Sequence, residues 1–445
     1  MGLGIWQSRF RLWYLPGMVL SLVLLASCNG RQEEPEAASV RSDTLACDPD
    51  NGGISLPPGF CALVVADDLG NARHLAVRDN GDIYVSLRRG GSLAALRDTT
   101  GDGRADVIQR FGDRGGTGLK LHDGYLYFAP DDVIRYRLEP GQLVPPGPPE
   151  AIVTDFPSQR SHEAKALALD DSGRLFVSVG APSNNCQARE RTERSPGIAP
   201  CPELERQAGI WRFAAGRPGQ KQVEDGLHFA SGIRHAVAMA WNPLAGRLYV
   251  VQHGRDQLRE LWPDLYTVEE NAELPAEEFL LVEEGVTYGW PYSYWDHLRD
   301  ERMLAPEYGG DGETPYPGRY PDPIQAFPGH WAPNDLLFYT GDQFPEHYRG
   351  GAFVAFHGSW NRAPLPQAGY VVAFVPFAGE RPAGDYEIFA DGFTGQETLE
   401  SPDAARFRPM GLAQGPDGSL YIADSQKGRV WRVMYRPPPG STTPP

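Results

Sequence analysis

Three stretches of this chain follow one pattern: Leu75-Ala-Val-Arg-Asp-Asn-Gly-Asp-Ile-Tyr-Val-Ser, Leu167-Ala-Leu-Asp-Asp-Ser-Gly-Arg-Leu-Phe-Val-Ser and Leu412-Ala-Gln-Gly-Pro-Asp-Gly-Ser-Leu-Tyr-Ile-Ala. A fourth copy begins at Met239 with a longer turn, and weaker copies run from Gly118 to Phe128 and around Gly350 to His357. Each reads as a strand, a Gly/Asp/Asn turn and a second strand with alternating apolar residues, which is a β-hairpin. One hairpin cannot bury its own apolar faces. Spaced copies of it therefore predict radial blades stacked around a channel: an all-β, six-bladed β-propeller with four-stranded blades. The chain has 445 residues and is 41% apolar, enough for one closed unit of this kind over residues 47–436.

The two ends read differently. Arg9 and Arg11 precede an apolar run from Leu12 to Ser27, so residues 1–27 are expected to be an export signal. The sequence Leu25-Ala-Ser-Cys28 resembles a bacterial lipobox. Cys28 is then the expected lipidated first residue, and the protein a periplasm-facing lipoprotein of the cell envelope. Residues 28–46 read as a polar tether and 437–445 as a Pro-rich, disordered tail. Four more cysteines remain, an even number suited to two disulfides in an exported protein. Pairing of sequence neighbours gives Cys47–Cys61 and Cys186–Cys201, one of three possible connectivities. The net charge of −17 argues against nucleic acid or an anionic membrane surface as partner, leaving the lipid anchor as the membrane tie.

In a hairpin the start of the first strand and the end of the second share one end. Propeller symmetry gathers those positions into a ring. Before the first strands stand Arg73-His74, His162, Arg234-His235 and Arg406 with Arg408; after the second strands stand Arg88-Arg89, Asn184-Asn185, His253-Gly254-Arg255, His357 to Arg362 and Asp424-Ser425. An acidic protein has thus collected His and Arg at equivalent places. Arg406-Phe407-Arg408 has strand period, which predicts two guanidiniums facing one way, a receptor for a multiply anionic planar ligand.

These residues resemble the soluble quinoprotein glucose/sorbosone dehydrogenase family. The resemblance runs from Leu56-Pro-Pro-Gly-Phe60 through Tyr288-Gly-Trp-Pro291 and Phe338-Tyr-Thr-Gly341 to His357-Gly-Ser-Trp-Asn-Arg362, and on to about Val433. It implies a sugar or aldehyde oxidoreductase that binds pyrroloquinoline quinone (PQQ) and calcium. Under it His162 is the general base, and Arg234 flanks the cofactor plane. Arg406 and Arg408 neutralise cofactor carboxylates, and Arg362 adds a further basic group. His253 stands where the family has a Gln beside the cofactor. The backbone carbonyls of Gly254 and Arg255 hold the catalytic calcium, and Glu278 with Tyr288 surrounds a second, structural one. His235 replaces a family Asn, and an Asp of the glucose-oxidising members is lost within Val179 to Asn185. These departures favour the sorbosone dehydrogenase-like branch. No Cys-x-x-Cys-His occurs, so no covalently attached haem is encoded and electrons are expected to leave to an external cytochrome or membrane quinone.

Two other readings suit a chain of this architecture. A calcium-dependent lactonase on the same architecture would need a cage of carboxylates and Asn in the channel, where this chain has His and Arg. A non-catalytic propeller that binds an envelope partner is the third reading. Asp98-Thr-Thr-Gly-Asp-Gly-Arg-Ala-Asp106 has the carboxylate spacing of a calcium loop but lacks its closing Glu, and is expected to be a plain polar turn. The aromatic run from Tyr288 to Trp295 could serve as a sugar platform or as core, and His330-Trp331 could face substrate.

Overall fold

The computed structural model describes residues 1–2, 44–88 and 93–437. The export signal, Cys28, most of the tether, Arg89 and all but the first residue of the tail lie outside the described residues. Six sheets form the six blades. Their inner strands are Ala72–Val77, Leu119–His122, Leu167–Leu169, Ala238–Asn242, Pro333–Phe338 and Pro409–Gln414. Each touches the next around the ring, and the last touches the first. Phe60–Ala66 closes the circle by pairing with Val430–Tyr435, so one blade is built from both ends of the domain.

The repeated phrase becomes the two inner strands of each blade, with Leu75 opposite Val85, Leu167 opposite Val177 and Leu412 opposite Ile422. Gly81, Gly173 and Gly418 sit in the turns at positive φ (91°, 78° and 82°), which a side chain would strain. The weak copy near Gly350 is only a return strand, Ala352–Phe356. Its partner is Pro333–Phe338, and the long connection 339–351 hides the hairpin in the sequence.

Alternation along a strand feeds two neighbours at once. In blade 1, Ile83, Val85 and Leu87 pack towards blade 6, while Tyr84 packs towards blade 2. Six apolar seams of this kind, one between each pair of adjacent blades, make up the core. Helix is confined to short loop pieces such as Leu258–Leu261 and Val268–Glu273. Two sheets gain a fifth, two-residue parallel strand, Gln220–Lys221 and Val286–Thr287, each lent by the following blade. The disulfides Cys47–Cys61 and Cys186–Cys201 both form.

Candidate functional site

A cavity of about 310 Å³ opens at the end of the channel where the inner strands begin, and every blade lines it, through Arg73, Thr117, Ala164, Val237, Asn334 and Met410. In three blades the ladder slips at this level, between Ala72 and Leu75, Pro333 and Asp335, and Pro409 and Gly411. A bulge re-aims the side chains it carries, and Arg73, Asn334 and Met410 are those side chains. A second recess of about 540 Å³ shares Asn334 and His357 with the first and adds His253, Trp360, Asp403 and Arg408. Trp360 is 55% exposed and is the only exposed large aromatic among the described residues.

His162 lines the first cavity. It adopts φ of 52°, unusual for a residue with a side chain, and its Nδ1 lies 2.7 Å from the Ala181 carbonyl. A carbonyl only accepts, so Nδ1 carries the proton and Nε2 keeps its lone pair. His235 follows with its ring centre 4.8 Å away, and His253 lies 5.0 Å beyond that. His253 donates from Nε2 to the Pro333 carbonyl at 2.8 Å, while Nδ1 of His235 is buried without a partner. Burial, helped by the charge of Arg234, lowers His162 to about 3, and burial lowers His253 to about 4. His235 and His357 are held well below the usual imidazole value, again chiefly by burial. The channel therefore presents neutral imidazoles at neutral pH.

Arg234 lines a small separate recess with His253, Gly254 and Arg255. It is buried and donates from Nε to the Asn184 carbonyl (2.9 Å), from Nη1 to the Gly254 carbonyl (2.7 Å) and from Nη2 to Asn184 Oδ1 (2.9 Å) and Asp256 (3.1 Å). Asp256 also takes Arg191, and these cations hold its carboxyl well below the carboxylate range in spite of burial. Glu277 lies behind Gly254 and accepts from the amides of Gly254 and Ala332 at 2.8 and 3.0 Å; burial pushes it up to about 7. Sequence reasoning passed over Asp256 and Glu277. Asp256 directly follows the Gly254–Arg255 pair, which was the available signal. Glu277 needs strand phase, because it and Glu278 point to opposite faces.

Several expected site residues lie elsewhere. Arg362 is bound to the Ala272 carbonyl (2.6 Å) and Glu273 (2.7 Å) at the end of the helix Val268–Glu273, outside both cavities. Arg406 is exposed, with its guanidinium against Gly53 and over the Phe407 ring, whereas Arg408 turns inward to the carbonyls of His357 and Gly358. Strand period does not apply to this pair, because the strand starts only at Pro409. Glu278 pairs with Arg302 at 2.7 Å, and the Tyr288 hydroxyl donates to the Leu281 carbonyl, so the two build no common metal cage. Tyr288, Trp290, Tyr294 and Trp295 are buried core. His330 bonds the Asn271 carbonyl, Trp331 packs on Phe356 and Tyr386, and neither lines the channel. The carboxylate of Asp98 accepts the amides of Thr100, Gly101 and Gly103, as a polar turn requires. Among the described residues, no cluster of His, Asp and Glu side chains with metal-binding spacing lines the channel.

Residues 54–436 match the model of the TrAA12-like family. The chain belongs to the TrAA12-like family. A pyrroloquinoline quinone-dependent pyranose dehydrogenase of Coprinopsis cinerea is 31% identical over 170 residues, 33% of this chain and 22% of that protein. An uncharacterized protein of Borreliella burgdorferi is 27% identical over 208 residues, 46% and 48% of the two chains. The TrAA12-like chain thus spans less than half the length of these curated relatives. Its fold is also that of the PQQ domain of the Coprinopsis cinerea pyranose dehydrogenase, with TM-score 0.68, 18% identity and coverage of 86% and 97%. An AA12 carbohydrate-active enzyme of Trichoderma reesei superposes with TM-score 0.69 at 19% identity, covering 86% and 97%. The soluble aldose sugar dehydrogenase of Escherichia coli does so with TM-score 0.56 at 18% identity, covering 85% and 100%.

Proposed function

We propose that this TrAA12-like protein is an oxidoreductase that oxidises an aldose sugar or a related aldehyde with PQQ and calcium. The observation that carries this reading is His162: a neutral imidazole, fixed by Ala181 so that Nε2 holds the lone pair, at a channel mouth that also bears arginines. Such a mouth suits a planar ligand with several carboxylates, and Asn334 and the neutral histidines add hydrogen-bonding groups without opposing charge. Calcium would rest on the Gly254 and Arg255 carbonyls. The Gly254 oxygen already accepts from Arg234, Asp256 is matched by Arg234 and Arg191, and burial holds Glu277, which meets only the amides of Gly254 and Ala332, toward its neutral form, so the protein brings little free carboxylate charge there. The ion's counter-charge would come from the cofactor, and calcium should bind only together with it.

When bound, the quinone supplies a two-electron hydride acceptor and calcium a Lewis acid beside it. The chain does the rest. His162 Nε2 takes the proton of the substrate hydroxyl as hydride leaves the adjoining carbon, giving a lactone from a cyclic aldose. Arg234 and Asn184 hold the backbone from Gly254 to Asp256 in place, and Trp360 offers an aromatic face to a sugar ring at the rim. His235 and His253 favour the sorbosone dehydrogenase-like branch. Electrons then pass to an external cytochrome or membrane quinone, and lipidation at Cys28 would hold the protein at the periplasmic face of the membrane beside that acceptor.

The test is reconstitution. Purified apo-protein given PQQ and calcium should reduce an artificial dye with aldoses, and should lose that activity when quinone is withheld. Turnover of lactones without any acceptor would overturn the reading in favour of a hydrolase.

A further inference from the structure

A cavity of about 380 Å³ lies on the face of the propeller opposite His162, in the seam where blade 6 meets blade 1. Its rim is made of turns: 79–81 after the inner strand Ala72–Val77, 416–417 after Pro409–Gln414, and 98–103 between Leu93–Arg97 and Val107–Phe111. The inner strands begin at the channel mouth, so these turns stand at the far face. Val65, Ile83, Leu96 and Ala105 give the cavity an apolar wall. Its two cations are already matched. Arg97 holds Asp82 by two bonds of 2.6 Å, and Arg432 holds Asp417 at 2.7 Å. Nearby, Arg104 pairs with Asp48, and Arg78 turns to the carbonyls of Glu139 and Gln142 in blade 2. Two carboxylates remain. Asp79 is exposed, and its side chain makes no bond among the described residues. Asp98 accepts only neutral donors, the amides of Thr100, Gly101 and Gly103 and the Thr100 hydroxyl. Tyr421 adds an independent sign. It is 4% exposed and lines the cavity, and among the described residues its hydroxyl has no hydrogen-bond partner. A buried tyrosine hydroxyl normally finds one. Among the described residues these carboxylates do not converge in a group of three on one point, as a calcium ion would need. Separated negative charges along an apolar wall suit an extended organic cation instead.

We infer that this cavity is a binding site for a small aliphatic diamine or polyamine. Its ammonium groups meet Asp79 and Asp98, its alkyl chain lies along Val65, Ile83 and Leu96, and the Tyr421 hydroxyl accepts from an ammonium. The site is independent of the quinone reading. Val65 and Arg432 belong to the two strands whose pairing closes the ring, so a bound cation joins blade 6 to blade 1 and stabilises the folded protein. The test titrates the purified protein with 1,4-diaminobutane and with spermidine at low ionic strength, followed by calorimetry and by melting temperature. Magnesium chloride at matched ionic strength is the control. Wild type should show saturable binding at one site and a rise in melting temperature that magnesium does not reproduce. Asp79→Lys, which sets a cation at the rim, should weaken affinity about tenfold or more. Asp171→Lys makes the same change of net charge on an exposed turn of blade 3, outside the cavity, and should stay within about twofold of wild type. Tyr421→Phe keeps the packing and should cost about two- to tenfold. Circular dichroism establishes that each variant is folded. No saturable binding by wild type, equal affinities in Asp79→Lys and Asp171→Lys, or the same melting shift from magnesium would overturn the inference.

Discussion

At the scale of single residues, one backbone contact decides the chemistry of His162. Its Nδ1 is tied to the Ala181 carbonyl, so its basic nitrogen is fixed. His162→Ala should lower turnover by about two to four orders of magnitude while PQQ affinity is unchanged. Burial and Arg234 disfavour the imidazolium, Asp256 pulls the other way, and the neutral rings of His235 and His253 complete the row. The folded value therefore lies below the ordinary 6.5, and the base stays competent as pH falls through that value. The acid limb of kcat/KM should appear below pH 5; a limb near pH 6.5 would mean a solvated base. Gly180 gives a steric check. A Cβ there would come 2.6 Å from the His162 carbonyl and 2.7 Å from its Cβ. Gly180→Ala should thus displace His162 and cost about a hundredfold in turnover, read against an unchanged circular dichroism spectrum.

Among elements, the strand ends did the most to make the site legible. Equivalence between hairpins brought His162, His253 and Arg408 to the channel mouth and Arg234 next to His253, because propeller symmetry carries sequence position directly into place. The same reasoning failed for Arg406, where strand period was extended to residues that precede the strand, and for Arg362, which a loop delivers to the Val268–Glu273 helix. Bulges do not show in an apolar pattern, so the special place of Arg73 was not legible, although its membership of the ring was. The segment clamped by Cys186–Cys201 adjoins Asn184, which holds Arg234 by two bonds. Replacing both cysteines by Ser should remove about 3 kcal/mol of stability, the loop-closure value for a segment of this size, and should also weaken PQQ binding. The Cys47→Ser/Cys61→Ser pair should lower the melting temperature alone. Equal PQQ affinity in both double variants would separate the Cys186–Cys201 clamp from the site.

On the scale of the whole molecule, six-fold repetition was readable because every blade needs the same hairpin to fill the same seam. The fifth blade was only half readable, since an inserted connection separates its two inner strands. Gathering histidines at the channel mouth has a consequence for stability. His162, His235, His253 and His357 are each held below their unfolded value of 6.5, so below that pH the unfolded chain binds more protons than the folded one. Stability is full above about pH 6.5 and falls as pH drops beneath it, by about 1.4 kcal/mol per unit for each group until its folded value is reached. Glu277, raised to about 7 from 4.5, acts in the opposite sense between those values, as do the raised carboxyls of Asp132, Glu203 and Asp424 above their ordinary values, but His74, His228, His297 and His330 are lowered as well and add to the four. The apo-protein's melting temperature should therefore fall between pH 7 and pH 5; a flat or rising curve would contradict the neutral histidine row. The central claim, that this channel couples a quinone to sugar oxidation through His162, is tested most directly by a single turnover. PQQ-loaded protein is mixed anaerobically with a panel of aldoses and the quinone absorbance is followed, wild type beside His162→Ala. The account predicts bleaching by at least one aldose in wild type and the same change about a hundred- to ten-thousandfold slower in the variant. Absence of any spectral change in loaded wild type, or equal rates in the two proteins, would contradict it.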